Sequence, residues 1–303
     1  MFAARNKGWL AAGVVMVGAS LALSGCASGD PLDSGSNDSG DSDTIVIGSQ
    51  AYYSNEIIAE IYAQALEAAD VKVERKFNIG QLDAYLPELE SGAVDLFPEY
   101  SGNLLQFYVP DTEATSSDDV YAALKDALPD GLTVLDQSPA TDQDSYNVTS
   151  EFAEANSLTT IADLAKAKEP LKLGGNAELA ERPYGPTGLK DRYGVDVSFT
   201  ATGDTTVEDL LAGTVNIANV YSADPRIQTD NLVTLEDPDG LFLASNVVPV
   251  VNEKVADKVS KVIDAVSAKL TSEGLVALNV ESTVDEESPD VIANKWLSDN
   301  GLI

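Results

Sequence analysis

The chain has 303 residues, which is long enough for one large domain or two smaller ones with a buried core. Its 50 acidic residues outnumber 18 basic ones, for a formal net charge of -32, and a surface of that sign repels nucleic acid and anionic lipid headgroups. Histidine, the commonest general base and metal ligand, does not occur in the chain, and cysteine occurs once. We therefore expect no nucleic-acid partner, no metal, no cofactor and no intrachain disulfide, and the composition argues against an enzyme.

The N-terminal segments occur in the order typical of a secretory signal: basic residues, an apolar stretch, then small residues before a cysteine. Arg5 and Lys7 precede the apolar stretch "WLAAGVVMVGASLAL", and "LSGC" follows, ending at Cys26. This spelling resembles a bacterial lipobox, which implies a lipid on the Cys26 thiol and removal of residues 1–25; the alternative is an ordinary free or buried cysteine. Residues 26–43 are mostly Ser, Gly and Asp and predict a flexible tether. The expected location is the outer face of the cell membrane.

The rest of the chain alternates between strand-like and helix-like segments. "TIVIGSQ" reads as a buried strand, with Ser54 as the N-cap of the next helix, and "AVDLFPEY" and "NVVPVV" read as later strands. Between them lie helical patterns such as "GQLDAYLPELESG" and the strongly amphipathic "EKVADKVSKVIDAVSAKL". This alternation predicts an α/β fold.

Polar and aromatic turns follow several of the predicted strands. The segments concerned are "GSQAYYSNE", "PEYSGN", "GGNAELAER" and "NVYSADPR". In open α/β sheets, ligands bind at the carboxyl ends of the strands, so these turns predict one ligand-binding cleft.

Three stretches carry a family resemblance: "IVIGSQAYYSNEIIAEIYAQALE", "NIGQLDAYLPELESGAVDLFPEYSGNLLQ" and "NVYSADPRI". They resemble the glycine betaine/carnitine/choline (osmoprotectant) binding proteins of ABC importers. The resemblance implies a type II periplasmic-binding-protein fold, with two α/β lobes joined by two crossovers and a ligand cleft between them. It places one lobe at 44–140 plus 245–303 and the other at 141–244. A membrane permease and an ATPase would be the partners, and we expect a monomer.

A quaternary ammonium ligand suits this composition. It cannot donate a hydrogen bond, and aromatic faces stabilise it by cation–π attraction of about 2 kcal/mol or more when desolvated. By motif position, the resemblance makes Tyr100, Tyr146 and Tyr221 walls of a cage, Asn103 a polar contact and Arg182 the partner of a ligand carboxylate. Read from the residues alone, Tyr146 and Tyr221 are equally consistent with lobe packing.

The chain also departs from the family pattern. Gln50 stands where a lysine is common, and Ser245 stands where an aromatic residue is common. A positive ligand contact and a cage wall are therefore missing. Tyr52, Tyr53 or Tyr184 would have to replace that wall.

Several alternatives stay open at this point. Arg182 has two acidic neighbours in sequence, Glu178 and Glu181, and a simple ion pair would explain it equally well. Tyr85 has the default interpretation of packing, and Glu99 that of a turn or interlobe contact. A second binding hypothesis keeps the role and changes the ligand to a different small zwitterion, such as an amino acid, with Arg182 on its carboxylate and with support from the missing aromatic residue at Ser245. An enzyme using a carboxylate pair and a surface adhesin are the remaining, weaker hypotheses.

Overall fold

The computed structural model describes residues 43–303. The predicted signal peptide, the lipidation site at Cys26 and nearly all of the predicted tether lie outside these residues. Among the described residues, no helix has the length and apolar character needed to cross a membrane.

The strands fall into two separate sheets. Most of them lie where the alternating pattern predicts a strand, because short runs of β-branched and aromatic residues favour extended backbone. In chain order they are β1 (Ile45–Gly48), β2 (Val73–Lys76), β3 (Leu96–Tyr100), β4 (Leu132–Val134), β5 (Asp144–Thr149), β6 (Lys172–Gly175), β7 (Ser198–Ala201), β8 (Ile217–Tyr221), β9 (Leu232–Thr234) and β10 (Val247–Asn252).

The α-helices cover the faces of both sheets and fill the C-terminal part of the chain. They are α1 (Tyr53–Ala68), α2 (Leu82–Glu90), α3 (Ser101–Tyr108), α4 (Ser117–Ala127), α5 (Ser150–Asn156), α6 (Pro186–Tyr193), α7 (Thr206–Leu211), α8 (Arg226–Thr229), α9 (Glu253–Ser267), α10 (Ser272–Thr283) and α11 (Pro289–Asp299). Short 3₁₀ helices occupy Ile161–Lys166, Ala177–Glu181 and Gly203–Thr205.

The two sheets share one plan. The first has the strand order β2-β1-β3-β10-β4 and the second the order β7-β6-β8-β5-β9. In each, four strands run in one direction, and the fifth, β10 or β5, pairs antiparallel with both of its neighbours. The chain crosses from the first sheet to the second after β4 and returns after β9 to add β10. Two α/β lobes joined by two crossovers confirm the predicted fold class.

The crossovers run side by side. Thr141 of the first and Asn246 of the second form an isolated antiparallel bridge. Strands from 45–134 and 247–252 build the first sheet, and strands from 144–234 build the second. The exact lobe boundaries, after residues 140 and 244, stay a prediction. The bridge joins the two crossovers to each other and assigns neither of them to a lobe.

Apolar side chains bury both faces of the first sheet. On one face, Ile61 of α1 and Ile263 of α9 are fully buried, and on the other Leu86 of α2 packs near Phe97. Each such burial contributes about 1.5–3 kcal/mol. The second sheet has its own core.

The predicted N-cap of α1 was wrong. Tyr52 occupies the N-cap position and makes no side-chain capping bond. The side chain of Asn55 instead accepts from the Gln50 amide at 2.9 Å and donates to the Pro98 carbonyl at 2.8 Å. This buried asparagine ties the ends of β1 and β3 together, which fixes the two turns that carry predicted site residues.

Candidate functional site

A small, partly open cavity of about 40 Å³ lies between the two sheets, at the ends of β3 and β8. Water-sized cavities need about 10–15 Å³, so the space holds only a few waters and a solute requires the walls to move apart. The lining residues are Gln50, Gln81, Leu82, Tyr85, Glu99, Tyr100, Asn103, Asp144, Glu178, Leu179, Arg182, Tyr184, Asn219 and Tyr221.

The "PEYSG" segment positions one wall of this cavity. Tyr100 is the last residue of β3 and is 6% exposed. Beyond it, the Ser101 amide donates to the Asn246 carbonyl, and the Asn246 amide donates to the Ser101 hydroxyl. A Cβ on Gly102 would lie 2.7 Å from the Ala244 carbonyl oxygen, so only glycine permits this approach. The motif thus presses β3 and α3 against the returning crossover and holds Tyr100 at the sheet edge.

Asn103 sits at the centre of a polar network between the lobes. Its amide nitrogen donates to Asp144 at 2.6 Å and to the Tyr184 hydroxyl at 3.3 Å. Its oxygen accepts from the Ser245 hydroxyl, which in turn accepts from the Gly102 amide. Ser245, the residue in the expected aromatic position, is fully buried and orients Asn103.

Tyrosines from both lobes border the cavity. Tyr100 and Tyr85 come from the first, and Tyr184 and Tyr221 come from the second. Sequence reasoning missed Tyr85, which stacks on Phe97 with ring centroids 4.2 Å apart while also lining the cavity. Its helical spacing with the leucines of α2 predicts only that the ring packs in the core.

Tyr52 and Tyr53 line a second, larger cavity of about 560 Å³ next to the first. The Tyr221 ring borders both cavities, and its centroid lies 5.0 Å from that of Tyr52. Tyr52 and Tyr53 pack edge to face at 4.9 Å. The aromatic side chains therefore run continuously from one cavity into the other.

Tyr146 is placed differently from the expectation that it forms a cage wall. It is fully buried, lines neither cavity, and packs edge to face on Phe242. Its hydroxyl donates to the Tyr184 carbonyl oxygen. The packing alternative describes this position, and Tyr146 supports Tyr184 from behind.

Arg182 does reach the cavity, but its guanidinium is already paired with Glu178, one helical turn away in sequence. The side chain of Arg182 is 15% exposed, and its guanidinium carbon lies 5.9 Å from the Phe107 ring centroid. Gln50 is 7% exposed and lines the same cavity. Both residues are thus at the cavity, with Arg182 held in an ion pair.

The cavity is electrostatically negative. Three of its lining residues are acidic, namely Glu99, Asp144 and Glu178, against a single basic one, Arg182. Burial raises the pKa of Glu99 to about 7, although the nearby Tyr85 hydroxyl and the Tyr100 amide oppose the shift. Burial also raises the pKa of Asp144, which the Asn103 amide partly offsets. Such a site is better suited to a cation than to an anion.

Comparisons with known proteins agree with this geometry. Residues 43–299 match the family described as the substrate binding domain of ABC-type glycine betaine transport systems. The chain is 27% identical over 276 residues to the glycine betaine-binding protein YehZ of Escherichia coli, covering 85% of this chain and 90% of that protein. It is 24% identical to the carnitine transport binding protein OpuCC of Listeria monocytogenes, over 95% of this chain and 94% of that one.

The fold agrees as well. A crystal structure of a glycine betaine/carnitine/choline ABC transporter protein superimposes with a TM-score of 0.69 at 21% identity, over 85% of this chain and 99% of that one. These relatives are binding proteins and not enzymes, in agreement with the prediction from composition. The chain belongs to the family of substrate-binding domains of ABC-type glycine betaine transport systems.

Proposed function

We propose that this chain is a lipid-anchored subunit that captures a quaternary ammonium osmoprotectant of the glycine betaine, choline or carnitine type outside the cell. It delivers that solute to the permease and ATPase of an ABC importer. Cys26 carries the lipid, and residues 26–43 are the tether between the lipid and the binding lobes.

One observation carries the ligand class. Four tyrosines from the two lobes surround a cavity whose only basic lining residue, Arg182, is engaged by Glu178. A trimethylammonium group offers no hydrogen-bond donor and is weakly hydrated. Tyrosine faces attract it by about 2 kcal/mol or more per desolvated contact, and uncompensated carboxyl groups add to the attraction.

The proposed walls are Tyr100, Tyr184 and Tyr221, with Tyr85 closing the first-lobe side. In this arrangement Tyr184 takes the place of the aromatic residue that Ser245 replaces. Tyr52 and Tyr53, together with Gln50, line the approach from the larger cavity, which we interpret as the entry path.

Arg182 has a conditional role. Among the described residues it donates one hydrogen bond, to Glu178, whose charge offsets its own, so a ligand carboxylate would have to share the guanidinium with Glu178. A solute without a carboxylate makes no such demand. The charge around the cavity therefore favours a choline-like cation over a zwitterion.

Capture follows from the two-lobe fold. The Asn103–Asp144 contact links the two lobes, and Tyr52 of the first lobe bonds to Asp142 in the first crossover. A ligand that touches tyrosines of both lobes binds the closed form more tightly than the open form, so it shifts the population toward closure. The importer would recognise that closed form.

Isothermal titration calorimetry on the purified protein tests this proposal. The panel is choline, glycine betaine, carnitine, proline betaine and a set of amino acids, and we expect saturable binding of at least one quaternary amine. Tyr100→Ala should weaken that binding by about tenfold or more. Tyr121→Ala removes a tyrosine of α4 that lines neither cavity, and it serves as the control. Binding of amino acids alone would support the zwitterion alternative instead.

A further inference from the structure

Glu99 combines deep burial with an incomplete set of hydrogen bonds. It is 1% exposed, lines the small cavity and lies in β3 between Pro98 and Tyr100. Its Oε2 accepts from the Tyr100 amide at 3.0 Å. Its Oε1 is buried and has no hydrogen-bond partner in the part of the chain that the structure describes.

Burying Oε1 without a hydrogen bond costs free energy unless another group donates to it. Buried carboxylate oxygens are normally hydrogen-bonded, and one left unpaired loses its hydration without compensation. The other two acidic residues at the cavity do not share this property. Asp144 accepts from Asn103, and Glu178 pairs with Arg182. Glu99 alone among the three has an unused buried acceptor.

The basic side chain at the cavity does not fill this position. Arg182 contributes to the field at Glu99, but its hydrogen bond goes to Glu178. The Tyr85 hydroxyl lies near Glu99 and favours its charged form, but among the described residues it makes no hydrogen bond to Oε1. A donor on what enters the cavity can therefore complete Oε1. Water could supply it in the free protein, and the proposed solute would replace that water.

We propose that Glu99 is a specificity-determining residue that accepts a hydrogen bond, through Oε1, from an O–H or N–H group of the bound cationic solute. This inference rests on the proposed function and adds a second requirement to it. The solute carries a donor group in addition to a quaternary ammonium enclosed by the tyrosines. A methylated cation without such a donor leaves Glu99 unpaired.

The solutes of the proposed class differ in this respect. Choline and carnitine each have a hydroxyl group, whereas glycine betaine has no hydrogen-bond donor. Choline alone of the three has no carboxylate to bring to a site that already contains three acidic side chains. The chemistry of Glu99 therefore favours hydroxyl-bearing solutes. Charge-assisted hydrogen bonds are roughly twice as strong as neutral ones, so the preference should be measurable at pH 8, above the pKa of about 7 that burial gives Glu99.

The test compares choline with n-propyltrimethylammonium, in which a methyl group replaces the hydroxyl and the size and charge are kept. Titration calorimetry on the wild-type protein should give a Kd for choline that is lower by about tenfold or more. In Glu99→Gln, which keeps the size of the side chain but loses its charge, that ratio should shrink severalfold. Asp95→Asn is the matched control, because Asp95 precedes β3 and lines neither cavity. It should keep the wild-type ratio.

The outcomes separate the two proposals. If choline and its propyl analogue bind the wild-type protein equally, the role of Glu99 is overturned while the proposed function stands. If folded Glu99→Gln keeps the wild-type ratio of the two Kd values, the role of Glu99 is overturned in the same way. If no quaternary amine binds, both proposals fail together. The wild-type comparison needs no variant, so it decides the question even if Glu99→Gln does not fold.

Discussion

The Tyr52 hydroxyl donates a 3.0 Å hydrogen bond to the carboxylate of Asp142, which also accepts from the Ala223 amide at 2.9 Å. Tyr52 is the N-cap residue of α1 in the first lobe, Asp142 lies in the first crossover, and Ala223 follows β8 of the second lobe. A single buried carboxylate thus connects both lobes at the point where the chain passes between them.

Removing the Tyr52 hydroxyl should destabilise the protein. Tyr52→Phe leaves Asp142, which is 2% exposed, with one donor fewer, and we expect the free energy of unfolding to fall by about 1–3 kcal/mol. Urea denaturation measures this change. Tyr108→Phe removes a solvent-exposed hydrogen bond to Glu90 and should change stability by less than about 1 kcal/mol. Equal losses in the two variants would contradict the special role of the Tyr52 contact.

Asp142 and Glu99 should make the stability of the protein depend on pH. Burial raises the pKa of each to about 7, above the ordinary values of 3.8 and 4.5. Between those ordinary values and pH 7, the folded state holds more protons than the unfolded state. Stability should therefore decrease as the pH rises from about 5 to 7, by an amount on the order of 3 kcal/mol per group.

Chemical denaturation at pH 5, 6, 7 and 8 measures the slope of the free energy of unfolding against pH. Asp142→Asn and Glu99→Gln should each flatten it, because each removes one buried carboxyl group whose pKa is raised. Glu74→Gln removes an exposed carboxyl group on β2 and should leave it unchanged. A stability that is constant, or that rises, over pH 5–7 would show that these carboxyl groups are not protonated in the folded state.

Much of this architecture could be predicted from the sequence, because it is encoded locally. The buried strand and amphipathic helix patterns gave the α/β fold, and the "PEYSG" motif gave the family. The position of Tyr100 at the end of a strand also followed, since "AVDLFPEY" predicts a strand that ends at this tyrosine. These signals depend only on neighbouring residues.

The parts that failed depend on contacts between distant segments. Every residue of β5 except the last is buried, so alternation could not tell whether Tyr146 faces the core or the cleft. Tyr85 lies on a helix with ordinary apolar spacing, and it reaches the cavity only because the second lobe comes close to the start of α2, where the Asp83 amide donates to Glu178 at 3.4 Å. The spacing of residues along the sequence does not reveal such proximity between lobes.

Asn103 should stabilise the folded state through Asp144. Asn103→Ala removes the 2.6 Å hydrogen bond to this buried carboxyl group, so the free energy of unfolding should fall by about 1–3 kcal/mol at pH 8. Since the lost donor favours the ionised form, the loss should be smaller at pH 5. Denaturation of both proteins at the two pH values measures the difference. A loss that is the same at both would exclude a role for the Asp144 charge.

Tyr184 should contribute an aromatic face to ligand binding. Tyr184→Leu keeps an apolar side chain but removes the ring, and affinity for a quaternary amine should weaken by about tenfold or more. Tyr193→Leu makes the same change at the end of α6, where the hydroxyl bonds to Asp237 and the ring lines neither cavity. Calorimetry should find its affinity near that of the wild type. If both variants bind equally well, Tyr184 is not a cage wall.

Cys26 should determine where the protein resides. A diacylglyceryl group supplies two acyl chains, and two chains give the stable anchoring that a single chain does not. We expect the wild-type protein in the membrane fraction of its host, with a mass that includes the lipid and lacks residues 1–25. Cys26→Ser should carry no lipid, and Ser24→Ala, which keeps a small residue two positions before the cysteine, should still be modified. Ligand affinity should be the same in all three, because the candidate cavity lies within residues 43–303. Mass spectrometry of the purified protein decides the matter, since an unmodified thiol in the wild type would overturn the anchor.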